Sequence, residues 1–238
     1  MRVLVLRPAP AAARTAGTLA ARGHEAVLLP LSKAEHAVDA VRAALAGAHA
    51  AIAVTSTEAA RLLARLGDDL RPHLATPVFA VGDATARAVH DIGFADVFSA
   101  GGDGQALAAL IAGKADTLHG PILYLAGNPR AEGFETRLRD VGIPLHVVEA
   151  YRMAPLVPAR AEMEAALLCP IPDAVLLYSR ESARAFFALS PLQEAPERFE
   201  AMRLICMSPN VAAAVPARFT ARIAVAAAPE EKSLLALL

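Results

Sequence analysis

Val3-Leu4-Val5-Leu6, a helix-like stretch, and then Leu19-Ala20-Ala21-Arg22-Gly23 open the chain. Ile122-Leu123-Tyr124-Leu125, a similar stretch, and Leu138-Arg139-Asp140-Val141-Gly142 say nearly the same again. The offset is 122 − 3 = 119 at the apolar run and 142 − 23 = 119 at the glycine. A second pair sets Val54-Thr55-Ser56-Thr57-Glu58-Ala59-Ala60-Arg61 against Leu177-Tyr178-Ser179-Arg180-Glu181-Ser182-Ala183-Arg184, at 179 − 56 = 123. A weaker third sets Val81-Gly82-Asp83-Ala84-Thr85-Ala86 against Met207-Ser208-Pro209-Asn210-Val211-Ala212, at 208 − 82 = 126. Self-similarity of this kind marks a repeated structural unit. Two long units imply two similar lobes with a cleft between them.

Short apolar runs alternate with amphipathic stretches almost throughout, which argues for βα units around parallel sheets. Strands are expected near 2–6, 26–30, 51–54, 77–81, 96–99, 121–125, 145–151, 173–178, 203–207 and 222–226. Helices are expected near 10–22, 35–46, 57–66, 84–92, 104–113, 131–141, 159–168, 181–189, 209–216 and 230–237. The strands are nearly all apolar, as sheets covered by helices on both faces require. Two Pro-marked segments, Leu29-Pro30-Leu31-Ser32-Lys33 and Glu149-Ala150-Tyr151-Arg152-Met153-Ala154-Pro155, read as connectors, since Pro blocks helix propagation and extends the residue before it. Two divisions follow. The chain splits near residue 120, or it starts one lobe, crosses at about 30–34, builds the other and crosses back at about 150–156.

The 238 residues suit one large domain or two, and 55% hydrophobic content makes a core easy to build. Aromatics at 5%, with no Trp, give no stacking platform for single-stranded nucleic acid. A net charge of −1 gives no basic footprint for DNA or RNA. Apolar runs fall short of the roughly 20 residues that span a membrane. The first strand begins without the ordered regions of a signal peptide. Cys169 and Cys206 fit no metal spacing and read as ordinary thiols. The expectation is a cytoplasmic protein that binds neither nucleic acid nor membrane.

No P-loop, strand–GxGxxG–helix fingerprint or Gly-x-Ser-x-Gly elbow is present, and the seven histidines are scattered. What remains is a set of small polar residues at strand ends: Thr55 and Ser56; Gly82, Asp83 and Thr85; Gly127, Asn128 and Arg130; Ser179 and Ser182; Ser208 and Asn210. In open α/β sheets, ligands bind at the carboxyl ends of strands, where helix N-termini present unpaired N–H groups to anions. The same residue types are also the preferred helix caps. Their recurrence in both repeats favours a shared anion site. Arg7, after the first strand, is a partner for a carboxylate or phosphate, or one half of a surface ion pair. Tyr151 either donates a hydrogen bond into the inter-lobe cleft or packs on a helix. Asp83 reads as a cap before an acid.

Taken in order, Arg7-Pro8, Thr55-Ser56, Val81-Gly82-Asp83-Ala84-Thr85-Ala86, Gly104-Gln105-Ala106-Leu107, Val148-Glu149-Ala150-Tyr151 and Tyr178-Ser179-Arg180-Glu181-Ser182-Ala183 resemble uroporphyrinogen-III synthase over almost the whole chain. The resemblance implies an α/β fold of two flavodoxin-like, doubly wound parallel-sheet lobes joined by a two-stranded linker, with the active site in the cleft. It favours the crossing division: 1–33 plus 156–238 as one lobe and 36–149 as the other. Two positions depart from the family pattern. Ser208-Pro209-Asn210 lacks the expected Gly. Ala126 stands where the family often has Arg, so carboxylate contacts from that loop fall to Arg130.

The resemblance further implies cyclisation of hydroxymethylbilane to uroporphyrinogen III, a lyase reaction of tetrapyrrole and heme biosynthesis that uses no metal or organic cofactor. Hydroxymethylbilane synthase is the implied neighbour for a transient hand-over. Tyr151 is the first candidate for general acid, with Thr85 second in the catalytic role. Arg7, Thr55, Ser56, Gly82, Asp83, Gly127, Asn128, Arg130, Ser179, Ser182, Ser208 and Asn210 are candidate substrate contacts. A monomer is expected. The competing readings are a non-enzymatic two-lobed binder of a small anion and a sugar-phosphate enzyme.

Overall fold

The computed structural model describes residues 1–238. The chain divides into two compact units, Met1–Lys33 with Ala154–Leu238 (unit 1) and Ala34–Met153 (unit 2). In chain order the elements are β1 (Arg2–Val5), α1 (Ala9–Ala21), β2 (Glu25–Leu28), β3 (Ser32–His36), α2 (Val38–Leu45), β4 (Ala51–Val54), α3 (Thr57–Ala64), β5 (Val78–Ala80), α4 (Asp83–His90), β6 (Val97–Ser99) and α5 (Gly104–Ala112). They continue with β7 (Ile122–Asn128), α6 (Gly133–Asp140), β8 (Leu145–Pro155), α7 (Arg160–Leu167), β9 (Ala174–Leu177), α8 (Arg180–Phe187), α9 (Ser190–Glu194), β10 (Arg203–Cys206), α10 (Pro209–Ala212), β11 (Ile223–Val225) and α11 (Glu231–Leu235).

The sheet of unit 1 runs β11-β10-β9-β1-β2 and is parallel throughout. Numbered along that unit this is the flavodoxin-like order 2-1-3-4-5. The other sheet runs β3-β8-β7-β4-β5-β6, parallel from β8 to β6. Matching the two orders equates β1 with β7, β9 with β4 and β10 with β5. These are the pairs that the internal repeat links.

Side-chain alternation divides each sheet into two apolar faces. Along β1 and the residue after it, Leu4 and Leu6 join one core cluster and Val3 and Val5 another. In β4 and β7, Ile52, Val54, Leu123 and Leu125 pack on one face, and Ala51, Ala53, Ile122 and Tyr124 on the other. Helices cover both faces, which is why central strands need apolar residues at every position. The repeated glycine also has a physical reason. Gly23 and Gly142 have φ of +75° and +73°. Each ends its helix, with the next amide donating back to the helix, His24 to Leu19 and Ile143 to Leu138 at 3.0 Å. Only glycine takes that left-handed turn without strain.

Four sequence expectations shift. The strand expected over 121–125 runs on to Asn128. The helix expected over 35–46 starts only at Val38, because Ser32–His36 forms β3 with alternating burial. The strand expected over 145–151 runs on to Pro155. The helix expected over 209–216 is the single turn α10, and the short α9 has no counterpart among the expected helices. Thus the second Pro-marked connector lies wholly within a strand, and the first enters one at Ser32 after the irregular Leu29-Pro30-Leu31. Beside them, the Ala37 amide donates to the Ala150 carbonyl at 2.8 Å, and the Leu156 amide to the Leu31 carbonyl at 2.9 Å. No helix is long and apolar enough to cross a membrane.

Candidate active site

The carboxyl ends of β4, β5, β7 and β8 in unit 2 bring together Thr55, Val81, Tyr124, Gly127 and Tyr151. With Gly104 and Gln105 of α5, and Pro129, Arg130 and Phe134 after β7, they line one groove. Tyr151 reaches it through a backbone irregularity. Along β7 and β8, Ala126 stands opposite Glu149, but Gly127 stands opposite Tyr151, leaving Ala150 as an extra residue. Such a bulge re-aims the side chain that follows it. Tyr151 is thereby laid across Gly127, where a Cβ would fall on the phenol ring. The glycine is needed for this close approach, not for its own backbone angles.

Tyr151 is only 8% exposed. Burial raises its pKa above the ordinary 10.0; the Ser56 hydroxyl offsets part of this and the Glu58 charge adds to it. A phenol so placed stays protonated through the neutral range. Tyr124, which the sequence marks only as a strand residue, is a second one. It is 1% exposed, and its hydroxyl shares a 3.1 Å hydrogen bond with that of Thr55. Burial also raises its pKa, with Thr55 opposing and Tyr151 adding to the shift. Phe134 packs edge-on against it at 4.8 Å. A tyrosine in an otherwise aliphatic strand was the available signal: a buried phenol needs a polar partner, and strand ends supply them.

Polar groups flank the groove. The Arg130 Nε donates to Glu135 at 2.5 Å. Asn128 and Arg152 both donate to Glu149, at 2.9 and 3.0 Å, and hold its carboxyl below the usual range. Ser56 caps α3, accepting from the Glu58 amide at 3.1 Å, and Asp103 caps α5, accepting from the amides of Gln105 and Ala106. Gly82 is the cap of α4. Asp83 is therefore that helix's first residue, not its cap, and accepts from the Ser99 hydroxyl at 2.7 Å. There its charge suits the helix dipole. Thr85, 6% exposed in the first turn of α4, does not line the groove.

Three of the unit 1 candidates, Arg7, Ser179 and Ser182, are engaged by other side chains. Ser179 caps α8 in a reciprocal box: its hydroxyl accepts from the Ser182 amide at 3.0 Å, and its own amide donates to the Ser182 hydroxyl at 3.1 Å. Ser208 stands at the cap position of α10 without a side-chain bond, and Asn210 lies inside that turn. Arg7 donates to Glu231 at 3.0 Å and lies over the Tyr178 ring at 4.2 Å. Thr15, fully buried, and Tyr178 donate to the same carboxylate oxygen at 2.5 and 2.8 Å. A substrate carboxylate at Arg7 must compete with Glu231.

Burial alone would raise the Glu231 carboxyl, but the Thr15 and Tyr178 hydroxyls and the Arg7 guanidinium outweigh it, so its pKa is lowered. A lowered carboxyl pKa contributes stability above the ordinary carboxylate range, and that stability is lost as pH falls through the lowered value. Glu231→Gln should therefore cost about 1 kcal/mol near neutrality, since the pair is partly exposed and screened. It should also flatten the acid side of the stability profile. Melting temperatures of both proteins across the acid range check this; parallel profiles would count against it.

Among solved structures, uroporphyrinogen-III synthetase from Helicobacter pylori aligns over 100% of this chain and 98% of its own, with a TM-score of 0.65 and 17% identity. A mutant uroporphyrinogen III synthase from the extremely thermophilic bacterium Thermus thermophilus aligns over 90% of this chain and 87% of its own, with a TM-score of 0.54 and 19% identity. At such identities the likeness speaks for the fold. No curated protein sequence matches the chain. A family model described as Uroporphyrinogen-III synthase HemD matches residues 13–236, nearly the full length. Sequence and fold therefore agree that this chain belongs to the uroporphyrinogen-III synthase family.

Proposed function

We propose that this chain converts hydroxymethylbilane to uroporphyrinogen III in the groove of unit 2, losing water and inverting ring D through a spiro intermediate. The carrying observation is a buried phenol, Tyr151, set over Gly127 in a groove that Thr55 and Arg130 also line. The family is one of cyclising hydro-lyases. In this reading Tyr151 protonates the leaving hydroxyl, which departs as water while a pyrrole nitrogen supplies the electron pair. The substituted carbon of ring D attacks the resulting azafulvenium carbon. The spiro intermediate fragments and recloses at the other carbon of that ring, and loss of a proton restores the pyrrole.

The protein's main contribution is conformation, holding ring D against ring A in the less accessible orientation. Arg130, Thr55, Ser56, Gly82, Asp83, Gly127 and Asn128 are proposed contacts for the substrate, with Thr85 supporting their loop. Arg7, Ser179, Ser182, Ser208 and Asn210 are proposed contacts from unit 1. The same reading takes the protein as a cytoplasmic monomer that receives its unstable substrate from hydroxymethylbilane synthase.

The test generates hydroxymethylbilane enzymatically, adds this protein, oxidises, and separates the uroporphyrin isomers. The expected result is a shift from isomer I, the spontaneous product, to isomer III. Isomer I alone, from folded protein, would sink the reading in favour of a two-lobed binder of polycarboxylates.

A further inference from the structure

Behind Tyr151 lies a cluster that the reaction scheme above does not use. His36, the last residue of β3, is buried, with 9% of its side chain exposed, and Glu58, in the first turn of α3, has 12% exposed. The His36 Nε2 and the Glu58 Oε2 are 3.2 Å apart. The His36 Nδ1 lies 3.0 Å from the Arg65 guanidinium. A guanidinium only donates, so Nδ1 accepts and the ring proton sits on Nε2, donating to Glu58. Arg61 holds the other Glu58 oxygen.

Both residues bear on Tyr151 from different sides. The His36 ring meets the Tyr151 ring edge to face, with centroids 6.5 Å apart and planes at 86°. The Glu58 amide donates to the Ser56 hydroxyl, the group next to the Tyr151 phenol, and the Glu58 charge opposes ionisation of that phenol. Gly127 leaves the ring room on the side facing β7. His36 closes another side, and the Ser56–Glu58 turn sits at the hydroxyl.

We propose that His36 and Glu58 form a positioning pair for Tyr151, the Glu58 carboxylate holding the His36 ring and His36 fixing the Tyr151 ring against Gly127. The inference rests on the role given to Tyr151 above. Neither residue lines the groove, so each acts through Tyr151 and not on the substrate.

The test uses the full chain with His36→Leu, His36→Gln and Glu58→Gln. His36→Leu should lower kcat for isomer III about tenfold with KM within about twofold, as expected when a reacting group is misplaced. His36→Gln keeps an N–H donor towards Glu58 and should recover kcat to within about threefold of the parent. A second readout needs no substrate. The tyrosinate absorbance of Tyr151, assigned by difference from Tyr151→Phe, should titrate at lower pH in Glu58→Gln.

A wild-type kcat in His36→Leu, or an unmoved titration in Glu58→Gln, would overturn the proposal, and a lowered melting temperature alone would mark the pair as structural. If His36→Leu does not fold, His36→Gln and the Glu58→Gln titration decide. Failure of the parent to form isomer III would fall on the proposed function, while the titration still reports on the pair.

Discussion

Gly127→Val should lower the rate of isomer III formation about a hundredfold, the scale on which a displacement of about 1 Å at a reacting group acts. The cause is steric. Gly127 is a strand residue without a positive φ, so valine meets no backbone penalty there. Its Cβ would instead fall on the Tyr151 ring. That ring cannot swing freely, because it is nearly buried and has His36 against it. Either the ring leaves its position or β7 moves away from β8. The cost in stability should be about 1–3 kcal/mol, the range for overpacking a core.

Gly127→Ala should show the same direction with a smaller amplitude. A double-mutant cycle isolates the clash. In a Tyr151→Ala background, Gly127→Val should destabilise less than it does in the parent, while activity stays low because the phenol is gone. Melting temperatures and isomer III rates of the four proteins check this. Equal costs in both backgrounds would mean that Gly127 is needed for something other than Tyr151.

The repeat offsets contain more of the architecture than they first suggest. The offset of 119 leads from β1 to β7, out of unit 1 into unit 2, and the offset of 123 leads from β4 to β9, back again. Two simple tandem copies would give one offset in one direction. The alternation arises because unit 2 is inserted after β2, so equivalent strands occur in a different chain order in the two sheets. Central strands were legible because burial on both faces demands unbroken apolar runs. β3 was not, because Ser32-Lys33-Ala34-Glu35-His36 carries alternating polar residues and merges, in sequence, with the start of a helix.

The candidate site was legible to a different degree. Strand-end polar residues announce themselves by type, but capping and ligand binding draw on the same residues. Ser179 and Ser182 satisfy each other as a cap; Thr55 and Tyr151 line a groove. Partners far apart in sequence decide such cases. Arg7 and Glu231 are 224 residues apart, and nothing near Arg7 marks its partner. The bulge before Tyr151 was not legible, because Gly127 falls beyond the strand expected over 121–125; only the extension of β7 to Asn128 puts a glycine inside the strand, where it signals a bulge or a close approach. Gly127 proves to be a case of both.

Tyr151→Phe should slow turnover about ten- to a hundredfold, the lower part of the range for general acid catalysis. Phenylalanine keeps the ring over Gly127 and against His36, so substrate position and KM should change little. Only the proton donor is lost. As the enzymatic route slows, spontaneous closure competes, so isomer I should rise at the expense of isomer III. The pH profile gives an independent sign. The phenol acts in its protonated form, and burial raises its pKa above 10.0. The parent rate should therefore hold through the range where an ordinary tyrosine begins to ionise and fall only above it. Tyr151→Phe should lack that basic limb. If both the rate and the limb persist in the variant, Tyr151 is not the acid, and the effect of Gly127→Val must then come from the shape of the groove, with the proton supplied by the second buried phenol, Tyr124, or by solvent.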